Sequence, residues 1–131
     1  MGDGLVTRLL LDSHVVIWWL EGGDKIAPPA REAIASREST VFVSTASIWE
    51  MAIKAGNRRL QYPPDLLQVL DAEGFDVIPV LAEHALAVAH LPPIHGDPFD
   101  RMLVCQARSE GATIVTREVE ITRYGVPSLK A

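Results

Sequence analysis

Short apolar runs alternate with stretches of helical period from one end of the chain to the other. Val6 to Leu11, broken only by Thr7 and Arg8 and ending at Asp12, predicts a strand. Ser13 offers a cap for a helix over His14–Leu20, which Gly22-Gly23 stops. Pro28-Pro29 marks the entry to a second helix, Ala30 to about Ser36, with Ala30, Ala33 and Ile34 on one face. Thr40-Val41-Phe42-Val43 reads as a strand and Thr45–Ala55 as a helix, with Ile48, Trp49, Ala52 and Ile53 on one side and Gly56 at its end. Pro63-Pro64 opens a helix carrying Leu66, Leu67 and Leu70, Phe75–Val80 reads as a strand, and Ala82–Leu91 as a helix broken by Pro92-Pro93. Asp97-Pro98 begins a further helix that runs to about Gly111, with Phe99, Leu103 and Ala107 at helical spacing and Met102 and Cys105 widening the stripe. Thr113–Thr116 is a strand, and Tyr124-Gly125-Val126-Pro127 leads into a last one.

Strands that are near-continuous runs of Leu, Val, Ile and Phe, each separated from the next by a helix, define an α/β chain with a mostly parallel sheet covered on both faces. Ligands bind such sheets outside the carboxyl ends of the strands. Asp12 ends the first strand, Ser44 the second, and Thr116-Arg117-Glu118 close the strand after the Asp97 helix, so polar residues fall where a site belongs.

A length of 131 residues and 48 % hydrophobic content suit one domain, 1–131, with a single core. The net charge of −5 argues against general charge-driven nucleic-acid binding, while leaving room for a local basic rim. One cysteine, Cys105, rules out an intrachain disulfide and a cysteine-based zinc site, and points to a reducing compartment. The longest apolar run, Val15–Leu20, falls far short of the ~20 residues a membrane span needs. No charged start with an apolar stretch and cleavage site opens the chain, so a cytoplasmic protein without signal peptide or membrane contact is expected.

The chemistry concentrates on His95-Gly96-Asp97-Pro98-Phe99-Asp100-Arg101. Asp97 before a Pro at the first helical position is a good N-cap. A helix start needs one cap, and Asp100 beside it adds repulsion unless something positive, such as a metal ion, sits nearby. Asp12 is either a cap itself or, with Ser13 capping, a functional acid. Glu50 has Lys54 four residues on, and an exposed pair of that kind contributes only ~0.3–0.5 kcal/mol. Asp12, Glu50, Asp100 and Glu118 are singly weak signals, yet all fall at one edge of one sheet. Carboxylates gathered so repel one another unless a hard cation neutralises them, and oxygen-only ligation suits Mg²⁺ or Mn²⁺. His14, His84, His90 and His95 lack the i, i+4 spacing of a zinc pair and read as structural or exposed, with only His95 near the acids. Cys105 reads as core, and the tryptophans as core or dimer interface, Trp18 and Trp19 foremost.

Leu10-Leu11-Asp12-Ser13-His14, Ser47-Ile48-Trp49-Glu50-Met51-Ala52-Ile53-Lys54, Asp97-Pro98-Phe99-Asp100-Arg101-Met102-Leu103, Val115-Thr116-Arg117 and Tyr124-Gly125-Val126-Pro127, in that order along nearly the whole chain, closely resemble the PIN-domain toxins of the VapC type. The resemblance implies a PIN-like three-layer fold and a Mg²⁺- or Mn²⁺-dependent endoribonuclease of a type II toxin–antitoxin pair, acting on an RNA substrate. It also implies a cognate VapB-like antitoxin and a homodimer with two sites along a shared groove. On that resemblance Asp12, Glu50 and Asp100 are metal-binding acids, Asp97 a supporting acid, and Thr116 with Ser44 or Ser47 small hydroxyl positions that hold carboxylates or waters. The family usually follows its Thr-Arg with Asp, where this chain has Glu118. Arg101, Lys54 and Arg117, with Arg58 and Arg59, are the candidates to grip the RNA backbone. The competing readings are an inert PIN-like binding module and a Mg²⁺-dependent phosphoryl-transfer protein. His14, two residues after Asp12, stands where a haloacid-dehalogenase site needs a second Asp.

Overall fold

A computed structural model describes residues 7–131. Five strands, β1 (Thr7–Leu11), β2 (Ser39–Ser44), β3 (Asp76–Ile78), β4 (Thr113–Thr116) and β5 (Ser128–Lys130), form one all-parallel sheet in the order β3-β2-β1-β4-β5. The expected first strand residue, Val6, lies outside the described residues. The helices are α1 (Ser13–Leu20), α2 (Pro28–Ala35), α3 (Thr45–Gly56), α4 (Leu66–Ala72), α5 (Ala82–Ala87), α6 (Pro98–Glu110) and α7 (Val119–Thr122), with a 3₁₀ turn over Val88–His90. None is long and apolar enough to cross a membrane.

Alternation along the strands sends neighbouring residues to opposite faces, and each face has its own core. Leu9, Leu11, Val41, Val43 and Val115 pack with Val15, Val16, Ile34, Met51 and Leu70 of the first four helices. Leu10, Phe42 and Ile114 pack on the other face with Leu103, Val104, Cys105, Ala107 and Ile121. The parallel, doubly covered sheet expected from the sequence is therefore what forms. Leu10 is fully buried in the central strand. Leu10→Ala is expected to cost about 2–5 kcal/mol, read from urea denaturation.

Several boundaries shift for local reasons. Pro79 has no N–H to give a ladder and Phe75 turns into the core, so β3 is shorter than Phe75–Val80. Pro28 and Pro29 stand inside the first turn of α2, where their missing N–H groups cost nothing. The helix expected to open at Pro63-Pro64 starts at Leu66, and the one expected over Ala82–Leu91 tightens to 3₁₀ at Val88. The four-residue α7 has one buried residue, Ile121, and so carries no readable period.

The strand order reverses at β1: β2 and β3 continue to one side, β4 and β5 to the other. The crevice beyond the carboxyl ends of β1 and β4 is thus the sheet's topological switch point, the usual place for a ligand. Leu11 pairs with Val115, and the Asp12 N–H donates to the Val115 carbonyl at 3.2 Å, which sets Asp12 beside Thr116 at that crevice.

Candidate active site

A pocket of about 210 Å³ opens there, lined by the five acids Asp12, Glu50, Asp97, Asp100 and Glu118. Ser13, His14, Lys54 and His95 complete the wall, so one lysine faces five carboxyl groups.

Asp12 leaves β1 with extended backbone and becomes the N-cap of α1, its Oδ1 accepting from the Val15 N–H at 3.0 Å. Ser13, the expected cap, instead turns its hydroxyl to Glu50 and donates to Oε1. Asp12 Oδ2 accepts from the Thr116 hydroxyl at 2.5 Å, and the hydroxyl oxygen accepts in turn from the Glu118 N–H at 2.9 Å. Burial pushes the Asp12 carboxyl above its usual range. The Thr116 and Val15 hydrogen bonds and the nearby His14 oppose the rise, and the Glu118 charge adds to it.

Asp100 stands on the first turn of α6, whose cap is Asp97: the Asp100 N–H donates to Asp97 Oδ1 at 2.9 Å. Burial first, then the charge of Asp97, lifts the Asp100 carboxyl from 3.8 to about 7, even with His95 Nε2 hydrogen-bonded to its Oδ2 at 2.9 Å; the Asp12 charge contributes to the same rise. The hydrogen bond and charge of His95 oppose this rise without cancelling it. His95, Asp97 and Asp100 present ligand atoms within 4.8 Å of one another.

Glu50 is buried on α3, its Oε2 in an ion pair with Lys54 Nζ at 2.9 Å. The pair anticipated from spacing exists, but at the pocket wall rather than in solvent. Glu118 stands at the N-cap position of α7 without a side-chain bond to the helix and reaches the pocket from an exposed position.

Ser44, Ser47, Arg101 and Arg117, all expected at the site, do not line the pocket. Ser44 Oγ caps α3 by accepting from the Ala46 N–H at 3.0 Å, and Ser47 is buried with its hydroxyl unpartnered. Arg101 donates to the carbonyls of Pro92, His95 and Val88. Arg117 donates to the carbonyls of Ala131 and Lys25 and lies over the Trp18 ring at 4.2 Å. Both guanidiniums are bonded to the protein's own backbone, outside the pocket, while Lys54 stands at its wall. Of the remaining pocket residues, sequence reasoning read Ser13 only as a helix cap and His14 as structural or exposed, and set His95 apart only as near the acids. His95 lay close to the acids in sequence, but nothing in a loop's spacing tells which way a ring points.

Residues 9–127 match the PIN domain family, and the chain belongs to it. Within that family the chain is 29 % identical over 125 residues to Ribonuclease VapC22 of Mycobacterium tuberculosis (strain ATCC 25618 / H37Rv), a match covering 93 % of this chain and 95 % of that one. In fold it is similar to VapBC2 from Rickettsia felis bound to a DNA fragment from their promoter (TM-score 0.69, 15 % identity, 95 % of this chain and 98 % of that one). It is also similar to DNA-bound VapBC from Salmonella typhimurium (TM-score 0.67, 18 % identity, with 95 % and 98 % covered). The motif order that resembled VapC-type PIN toxins therefore reflects membership of the family.

Proposed function

We propose that this chain is a Mg²⁺- or Mn²⁺-dependent endoribonuclease, the toxin of a type II toxin–antitoxin pair. The observation that carries the reading is the set of carboxyl groups drawn to the switch point, with Asp100 held near 7 by burial and by its acidic neighbours. The donor set fits a hard cation: the oxygens of five carboxyl groups with two imidazoles, and no thiolate. Asp12 and Asp100 would hold it, with Glu50 and Glu118 beside them. When bound, such a cation supplies positive charge for a phosphoryl oxygen and acidifies water.

The chain's own groups do the rest. Thr116 fixes Asp12, Ser13 and Lys54 fix Glu50, and His95 fixes one oxygen of Asp100. Lys54 places the pocket's one ammonium where a phosphodiester approaches. Attack by water forms the new P–O bond as the bond to the 3′ oxygen breaks, leaving a 5′-phosphate and a 3′-hydroxyl.

A VapB-like antitoxin is part of the proposal, supported by the VapBC structures of similar fold; a cytoplasmic location and a homodimer are further parts of it. For the dimer, Trp49, 64 % exposed and edge-on to Phe99 at 5.2 Å, supplies an apolar face next to the pocket acids Glu50 and Asp100. Trp18 and Trp19 do not serve so well, because the first lies under Arg117 and the second donates to Glu73 at 2.6 Å.

The test is the chemistry of the cut ends. Fragments from antitoxin-free protein should carry 5′-phosphates and ligate to an adaptor without kinase treatment. Fragments with 5′-hydroxyls and 2′,3′-cyclic phosphates would mean attack by the RNA's own 2′-hydroxyl and would contradict the reading.

A further inference from the structure

We propose that Tyr124 and Arg101 are positioning residues of the pocket, acting through His95 on Asp100; this rests on the metal-dependent reading above. His95 sits in the loop between the 3₁₀ turn and α6, outside the sheet ladder, and Pro92 and Pro93 contribute no N–H to that loop. Its backbone is held by side chains instead. The Tyr124 hydroxyl accepts from the His95 N–H at 2.9 Å and donates to the His95 carbonyl at 3.2 Å, so a single group fixes both polar atoms of one residue.

Arg101 Nη1 donates to that same hydroxyl at 3.1 Å and to the Pro92 carbonyl at 3.0 Å, and Nη2 to the Val88 carbonyl at 3.1 Å. The hydroxyl's one donor and two acceptor sites are thereby all used. Tyr124 is buried in the core under α6, so the node is an interior one. Tyr124 follows α7 and Arg101 follows Asp100 directly on α6; two separate elements meet on the loop that carries His95.

The consequence reaches the pocket through one bond. His95 Nε2 is hydrogen-bonded to Asp100 Oδ2 at 2.9 Å, which fixes the carboxyl group's rotation and leaves its other oxygen for a ligand. Removal of the Tyr124 hydroxyl would free the His95 N–H and leave the His95 carbonyl only the longer bond from Arg101 Nη1 at 3.4 Å. The imidazole would then no longer be held against Asp100. Partners of this kind, one bond removed from a metal ligand, typically govern about 10–100-fold in metal affinity.

The experiment is calorimetric Mn²⁺ titration of the full chain, wild type beside Tyr124→Phe, His95→Ala, the double variant, His95→Gln and Asp100→Asn, with the fold of each checked by near-ultraviolet circular dichroism. Tyr124→Phe and His95→Ala should each weaken binding about 10–100-fold, with the double variant no weaker than His95→Ala alone. His95→Gln keeps a side-chain donor and should recover part of the loss. A Tyr124→Phe protein that binds Mn²⁺ like wild type would overturn the proposal, as would losses that multiply in the double variant, since Tyr124 would then not act through His95. If wild type takes up no Mn²⁺, or Asp100→Asn binds as tightly as wild type, the metal reading itself fails and this inference with it.

Discussion

Asp100→Asn is expected to reduce RNA cleavage by about 10²–10³-fold or more, the range for losing one group that organises transition-state charge, and at the same time to raise the melting temperature of the metal-free protein. The two effects share a cause. In the folded, metal-free chain the Asp100 carboxyl is raised from 3.8 to about 7, first by burial and then by Asp97. The folded state therefore binds a proton more tightly there than the unfolded state does. Its contribution to stability is complete below about pH 4, declines as the pH rises, and is gone above about 7. Asn carries no charge at any pH and still offers an oxygen to His95.

The same substitution removes a favourable negative charge from the first turn of α6, worth roughly 0.3–1 kcal/mol. A tenfold change in proton affinity is worth about 1.4 kcal/mol, so relief of the buried charge wins. Calorimetric melting at pH 8 and pH 5 reads the balance. The variant's advantage should be larger at pH 8, with about 3–5 °C for each kcal/mol in a chain of this size. A variant that melts below wild type at pH 8 would mean that the carboxylate is not strained by its surroundings.

Thr116→Val should cost both stability and rate, because one hydroxyl serves two partners. It donates to Asp12 Oδ2 at 2.5 Å and accepts from the Glu118 N–H at 2.9 Å. Valine has nearly the same shape, so the packing around the position survives while both bonds go. Asp12 is only 4 % exposed, and leaving one of its oxygens without a donor costs about 1–3 kcal/mol. Misdirecting that carboxylate should lower kcat about 10–100-fold. Thr116→Ser, which restores the hydroxyl, should recover most of the rate. A valine variant that cleaves within twofold of wild type would show that Thr116 does not position Asp12.

Periodicity carried the fold well because the strands are buried on both faces and the helices between them are long enough to show a stripe. It failed where elements are short or cut by proline: α7 has too few residues to repeat, and Pro79 trims β3. In the site, Asp12, Glu50, Asp100 and Glu118 were legible as acids at one sheet edge, since they fall at or just beyond the carboxyl ends of the expected parallel strands. Their partners were not. Ser13 and Asp12 are adjacent and either can cap a helix; only three-dimensional packing sends the serine to Glu50 and leaves the cap to Asp12. For Arg101 and Arg117 the sequence shows a charge and hides the backbone carbonyls that each guanidinium bonds. His95 presents the opposite case, a loop residue without pattern whose direction is set by Tyr124, 29 residues away.

The central claim, that the acids at the switch point make a cation-dependent ribonuclease, is tested most directly by incubating antitoxin-free protein with total cellular RNA in Mn²⁺, in Mg²⁺ and in chelator, with Asp12→Asn alongside. A few discrete cuts that require the cation and vanish in the variant are predicted. Cleavage that persists in chelator, or that Asp12→Asn performs as well as wild type, would contradict it.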